Sequence, residues 1–293
     1  IILLSKPLPL NVMAPVQKNS AVTLRNDNMS FLSILFDFFW VVGFIIFVLL
    51  PLIALFFRLD ISSGITLFYE KRFWRALFTS THLSFTSSII SVALAIVIIN
   101  SKYRLLEARM VKISKFLDFA VSIHLIMPAI VFATGCFILL KDFFDIFNIA
   151  YFLVLLANIL LTLPFIVRIL APKLEQAINQ QDKLCMHLGI TGVSRFFKIT
   201  LPALASDFHL VFALSFAFSL GDLSVITLFG SQNFETLPFY LYQLFGRYGG
   251  SEADMLGIFI LIYIFVGYLF LGLVFWSLKK MVSYRLSEYY VRG

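Results

Sequence analysis

The stretch LGIFILIYIFVGYLFLGLVFWSL at residues 256–278 contains no charged side chain. A helix needs about 20 consecutive apolar residues to cross the roughly 30 Å hydrocarbon core of a bilayer. This stretch is long enough, and its apolar residues do not alternate with polar ones as they do in a membrane β-barrel. It therefore predicts a membrane-spanning helix, which satisfies its own backbone hydrogen bonds in lipid.

Five further apolar runs of this kind precede it, at residues 38–57, 82–99, 119–140, 149–167 and 208–229. The composition agrees with them, because 60% of the 293 residues are hydrophobic and only 13% are charged. Soluble domains contain about 25% charged residues. The sequence thus predicts an all-α integral membrane protein with about six transmembrane helices.

Lysine and arginine are distributed unevenly among the segments that join these runs. Sixteen of them lie in the two ends of the chain and in the second and fourth connections between the runs. Six lie in the first, third and fifth connections. By the positive-inside rule, both ends of the chain and the loop at 172–206 are cytoplasmic. The net charge of +7 follows from this bias and from contact with membrane lipid. A nucleic-acid partner is not expected, because the sequence contains no soluble basic domain.

Residues 1–30 contain three prolines and show no helical periodicity. The chain opens without methionine, and its short apolar start is not shaped like a signal peptide. We expect this part to be a polar linker or lead-in from an earlier membrane half, with Met13 or Met29 as alternative starts. Residues 31–293 then form the six-helix membrane domain.

One polar loop stands out, KLCMHLGITGVSRFFKITLP at residues 183–202. Gly189 can adopt the left-handed backbone that ends a helix, and Pro202 suits the first turn of the next helix. The pattern predicts two short helices joined at a bend, which present apolar side chains to a soluble partner. The alternative is an amphipathic loop that lies on the lipid headgroups.

The spacing of Gly189, nine residues, Ile199, one residue and Leu201-Pro202 resembles the coupling-loop signature of bacterial ABC importer permeases. In that family the loop begins Glu-Ala-Ala, whereas this chain has Lys183-Leu184-Cys185. Lys183 would remove or reverse an ion pair made by the family's glutamate. The resemblance implies that the loop couples to an ATPase through Lys183, Leu184, Cys185, Leu188, Gly189, Ile199, Leu201 and Pro202.

Two further stretches, LIMPAIVFATGCFILL at 125–140 and SLGDLSVITLFGSQNFETLPFYLYQ at 219–243, look like the C-terminal half of the thiamine transporter permease family. The members are fused chains of two six-span halves. The resemblance implies the type I ABC importer permease fold, a multi-pass position in the bacterial inner membrane, and import of thiamine or its phosphates. It also implies three protein partners: a cytoplasmic ABC ATPase dimer, an N-terminal permease half or second permease copy, and a periplasmic substrate-binding protein. The coupling loop alone fits importers of iron, sulfate, polyamines or sugars equally well.

Asp222 lies within the fifth apolar run. A charge near the bilayer centre costs about 2.5–3.5 kcal/mol on insertion scales, so Asp222 should face protein or water. It could be a pathway residue that attracts a cation, or a structural partner for a backbone donor near Gly221. Pro238 and Tyr240 belong to the outer segment 230–255, for which we expect an outer gate. Aromatic residues also gather at membrane interfaces without any such role.

The sequence offers no catalytic chemistry. It contains no GxxxxGK[ST] phosphate-binding loop, and no nucleophile–base pair or metal cluster can be assembled from its motifs. We therefore expect a non-catalytic transport subunit without a cofactor of its own, with ATP-Mg bound by the partner ATPase. An ion-coupled secondary transporter would need more ionisable residues within the membrane than Asp222, and an intramembrane enzyme would need a pair of catalytic groups.

Overall fold

The computed structural model describes residues 31–58, 60–187, 189–190, 205–231, 234–247 and 250–292. The chain divides into two compact units, Ile1–Ala54 and Leu55–Gly293. The described part of the first unit belongs to helix α1, Phe31–Phe57, which is apolar along its length and contains Pro51.

The described part of the second unit is built from helices, and no strand occurs in it. The all-α prediction is confirmed. In chain order the elements are α2 Ile61–Tyr69, α3 Lys71–Glu107, α4 Val111–Ser122, a 3₁₀ turn Ile123–Leu125, α5 Ala129–Leu140, α6 Ile146–His187, α7 Ala205–Gly221, α8 Ile226–Phe229, α9 Leu237–Gly246 and α10 Gly250–Arg292.

In the described part of the chain, four helices are long and apolar enough to cross a membrane, which confirms the prediction of a multi-pass membrane protein. Their apolar parts are Ser33–Phe57, Lys71–Leu106, Ile146–Gln176 and Gly250–Ser277. Two shorter apolar helices accompany them, Ala129–Leu140 and Asp207–Gly221. Residues 73–80 form the first turns of α3.

The third and fifth predicted spans are each divided. In the third, the helix stops at Ser122 and resumes after Pro128, whose backbone is extended at φ −58° and ψ 141°. Proline lacks an amide donor and disfavours helical backbone in the residue before it, so a break here is expected locally. The fifth span breaks at Asp222, between α7 and α8.

Helices α3, α6 and α7 pack against one another along a line of buried small polar residues, which we call the polar seam. Ser87 Oγ lies 2.9 Å from Ser219 Oγ, and Thr162 Oγ1 lies 2.9 Å from Ser91 Oγ. Small side chains allow close helix approach in membranes, and hydrogen bonds between helices add about 0.6–2 kcal/mol each. The seam comprises Ser84, Ser87, Ser88, Ser91, Asn158, Thr162, Ser215 and Ser219.

Gly230, the residue after α8, is tightly enclosed. A Cβ atom there would lie 2.7 Å from the Ile226 carbonyl oxygen and 2.7 Å from the Phe239 ring. We expect Gly230→Ala to destabilise the protein by about 1–3 kcal/mol, because the carbonyl belongs to the backbone and cannot move aside cheaply. Unfolding in detergent should separate it from Gly257→Ala, where the described atoms leave the Cβ position open. Equal stability of the two variants would contradict the prediction.

Candidate functional site

The break in the fifth span is centred on Asp222. One carboxylate oxygen of Asp222, Oδ1, accepts a hydrogen bond from the Ser224 N–H at 3.0 Å. An aspartate side chain accepts hydrogen bonds from nearby backbone N–H groups and so competes with the hydrogen bonds of the helix. Helix α7 ends one residue before Asp222, at Gly221. The other oxygen, Oδ2, is buried and has no hydrogen-bond partner in the described part of the chain.

A cavity of about 240 Å³ borders this break, and we call it the Asp222 pocket. Asn158 closes its polar end: the side chain is 1% exposed, and its Nδ2 donates to Ser219 Oγ at 2.8 Å. Asn158 Oδ1 has no hydrogen-bond partner among the residues that the structure describes. The lining consists of Asn158, Leu161, Thr162, Phe165, Phe218, Ser219 and Asp222.

The rings of Phe165 and Phe218 form the apolar side of the Asp222 pocket. Their centroids lie 5.2 Å apart, with the planes inclined at 50°. The pocket therefore combines an aromatic wall with two acceptor oxygens, Asn158 Oδ1 and Asp222 Oδ2, which we call the pocket oxygens. Since Asn158 lies at the centre of the predicted span 149–167, this site is expected near mid-membrane.

The polar loop begins with the helix end that the sequence predicted. Helix α6 runs to His187, Gly189 has a φ of +64°, and the Ile190 N–H donates to the Cys185 carbonyl at 3.0 Å. This is a Schellman-type helix end. The bend thus lies where the sequence predicted it, but the helix before it is the end of the 42-residue α6 and not a separate short helix.

The other predicted coupling residues are placed only in part. Lys183 and Leu184 lie within α6. The side chain of Cys185 is buried, 1% exposed, so a direct contact of its thiol with another protein does not follow from this geometry. The remaining positions lie outside the described residues; they are Leu188, Ile199, Leu201 and Pro202.

Helix α9 is held against α3 by a cluster of polar residues. Its Pro238 occupies the first helical turn, and Tyr240 is buried and donates its hydroxyl to Glu70 Oε2. Burial, together with the Glu70 carboxylate, raises the pKa of Tyr240, so the phenol stays protonated and remains a donor. The Arg72 guanidinium lies 4.7 Å from the Tyr240 ring centroid.

Arg72 also carries the ion pair of this cluster. It donates to both Glu235 oxygens, with Nε at 3.0 and 2.8 Å and Nη2 at 2.7 Å, and to Gln243 Oε1. We call Glu70, Arg72, Glu235, Tyr240 and Gln243 the Arg72 cluster. A wide groove of about 930 Å³ adjoins it, lined in part by Lys71, Arg75 and Arg247.

Comparison with known proteins identifies the family. Over 198 residues the chain is 36% identical to "Thiamine transport system permease protein ThiP" of Brucella abortus (strain 2308), covering 66% of this chain and 36% of that protein. It is 35% identical over 212 residues to the protein of the same name from Haemophilus influenzae, covering 72% of this chain and 39% of that protein. The chain belongs to the same family as these permease proteins.

The match to this family covers only part of the relatives, and a second family gives a weaker match. The chain spans well under half the length of these two relatives. It is also 30% identical, over 116 residues, to "Probable sulfate transport system permease protein cysT" of Chlorella vulgaris, and this match covers 37% of the chain and 42% of that protein. No family model matches the chain. The resemblance stated from the sequence is confirmed at the level of the family.

The structure separates the four predicted pathway or gate residues into two places. Asp222 lines the Asp222 pocket and follows Gly221, the last residue of α7, whereas Pro238 and Tyr240 lie in α9. Sequence reasoning missed Asn158, although one signal was available. Asn158 and Thr162 stand four residues apart in an apolar run, a spacing that puts both on one helix face.

Proposed function

We propose that the chain is the membrane-spanning permease half of an ATP-driven importer of thiamine or its phosphates in the bacterial inner membrane. The observation that carries this proposal is the 36% identity to a thiamine transport system permease protein over two thirds of the chain. The chain itself is non-catalytic, and ATP-Mg is bound and hydrolysed by a partner ATPase.

The Gly189 end of α6 is the proposed contact with a cytoplasmic ABC ATPase dimer. From Asn158 to His187, α6 contains about 44 Å of helix at 1.5 Å per residue. The hydrocarbon core extends only about 15 Å from its centre, so α6 is long enough to carry this end well beyond the lipid. The excess of lysine and arginine in this loop and at both ends of the chain supports a cytoplasmic position for all three.

The outer side is the proposed contact with a periplasmic substrate-binding protein, with α9 as the outer gate. A second permease half is required as well, either an N-terminal half of the same polypeptide or another copy. Asp222 is the proposed pathway residue, because thiamine carries a positive charge on its thiazolium ring and a buried carboxylate oxygen favours a cation. An importer of the same class for sulfate, iron or a polyamine is the alternative.

Uptake of labelled thiamine tests this proposal. The chain, joined to an upstream permease half, is expressed with the matching ATPase and binding protein in cells that lack their own thiamine permease. We expect uptake that disappears when the ATPase is inactivated by substitution. Uptake that is indifferent to the ATPase would instead support an ion-coupled transporter. Absence of thiamine uptake by an assembled, ATP-hydrolysing complex would support another substrate.

A further inference from the structure

We propose that the Asp222 pocket is a transit site for one ring of the substrate, the amino-bearing heteroaromatic ring, at mid-membrane. This inference rests on the proposed function, since thiamine joins an aminopyrimidine ring to a thiazolium ring. The pocket oxygens accept hydrogen bonds from the amino group, and Phe165 and Phe218 contact the ring itself.

Asn158 provides the first reason to place a ligand here. A buried acceptor without a partner destabilises the folded chain, and almost all buried polar groups in native proteins are paired. The Asn158 amide nitrogen is already used by Ser219 at 2.8 Å, which directs the amide oxygen away from the polar seam. Asn158 itself lines the Asp222 pocket, so its buried, unpaired oxygen is the acceptor that we assign to a donor held there.

Asp222 provides the second reason. Its Oδ1 is engaged by the Ser224 amide, and its Oδ2 is the second pocket oxygen. A carboxylate at membrane depth is costly unless it faces a donor, a cation or water. Asn158 and Asp222 thus each bring one unpaired acceptor oxygen to the same lining, which suits a group with two N–H donors.

The chemistry of the two thiamine rings decides which one the pocket holds. An aminopyrimidine carries two N–H donors on its exocyclic amino group, which match the two pocket oxygens. The thiazolium nitrogen is quaternary and has no N–H to donate. The amino-bearing ring therefore fits the polar end, and the adjoining positive charge remains attracted to Asp222.

The size of the pocket limits the site to part of the substrate. Ligand pockets for drug-sized molecules typically enclose about 300–1,000 Å³, whereas this cavity measures about 240 Å³. Phe165 and Phe218 are 38% and 46% exposed in this chain, so the pocket opens at its aromatic side. Offset or edge-to-face contacts with these rings stabilise a bound aromatic ring, and the second substrate ring remains outside.

Direct binding to the permease tests this inference separately from transport. The complete permease with its ATPase, purified in detergent without the binding protein, is titrated with labelled thiamine. We expect Asn158→Leu and Asp222→Asn each to weaken binding about tenfold, and Phe218→Leu about threefold. Ser88→Ala is the matched control and should bind as the wild type does, because Ser88 is equally buried and its hydroxyl donates to the Ser84 carbonyl of its own helix.

Competition by oxythiamine, in which an oxygen replaces the amino group of the pyrimidine, identifies the ring. We expect oxythiamine to compete at least tenfold less well than thiamine against the wild type, and this preference to fall in Asn158→Leu. Equal competition by the two compounds, or wild-type affinity in both polar variants, would overturn the inference. Should Asn158→Leu fail to assemble, Phe218→Leu, at a side chain that is 46% exposed, and the oxythiamine comparison still decide.

The two proposals fail in different ways. If ATP-dependent thiamine uptake occurs but the purified permease shows no thiamine binding that depends on Asn158, the transit site is wrong and the importer stands. If the importer carries no thiamine, the uptake experiment shows no thiamine uptake. The proposed transit site for this ring is then wrong as well.

Discussion

Replacing Arg72 by methionine is expected to lower the free energy of unfolding by about 3–5 kcal/mol. Glu235 is 1% exposed, and Arg72 contacts both of its oxygens within 3.0 Å. Removing one partner of a buried ion pair leaves an uncompensated charge, which costs far more than the pair contributes. Chemical unfolding of the purified chain in detergent measures the loss.

Two controls distinguish this effect from a general loss of charge. The pair between Lys102 Nζ and Asp118 Oδ1 is equally short, at 2.7 Å, and the Lys102 side chain is as exposed as that of Arg72, at 29% against 28%. The Asp118 side chain, however, is 48% exposed, against 2% for that of Glu235. Lys102→Met should therefore cost no more than about 1 kcal/mol. The double variant Arg72→Met/Glu235→Met should regain most of the stability, because no buried ion remains. Similar losses for both pairs, or a double variant no better than the single one, would contradict the prediction.

Replacing Gly189 by valine is expected to reduce ATP-dependent uptake about tenfold or more, whereas Gly189→Asn should retain most of it. Residue 189 has a φ of +64°, a conformation that costs L-residues about 1–2 kcal/mol and is least accessible to β-branched ones. Asparagine tolerates it and replaces glycine at helix ends. Within the described chain, a Cβ here meets nothing within 4 Å, so backbone strain alone separates the two variants.

Uptake and substrate-stimulated ATP hydrolysis of the assembled complex measure this effect together. Gly257→Val serves as the control, because that glycine is helical and has open space at its Cβ position within the described structure. If Gly189→Val kept both activities, the left-handed turn would have no part in coupling. If Gly189→Asn lost them as fully as the valine variant, strain would not be the cause.

The apolar runs predicted where the helices lie but not where two of them stop. A run of hydrophobic residues measures composition over many positions, whereas a helix ends because of one or two particular residues. Pro128 and Asp222 were both visible in the sequence, yet each stands within a run whose average remains apolar. The third and fifth spans were therefore predicted as continuous, although a local backbone preference divides each of them.

The same distinction explains which parts of the site could be predicted. The turn at Gly189 depends on a local property of one residue, so the sequence alone indicated it. The Arg72–Glu235 pair joins residues 163 positions apart, and the Asp222 pocket brings Asn158 of α6 next to the end of α7. Such contacts arise from helix packing, which the spacing of residues along one segment does not encode.

The shortness of α5 and α7 has a consequence for the order in which the chain enters the bilayer. With 12 and 17 residues, they measure about 18 and 26 Å, less than the 30 Å of hydrocarbon. The backbone groups at their ends tolerate membrane depth only against protein or water. Helix α5 packs against α6, which is synthesised after it. Integration of α5 during translation is therefore expected to remain incomplete until the following long helix has been made.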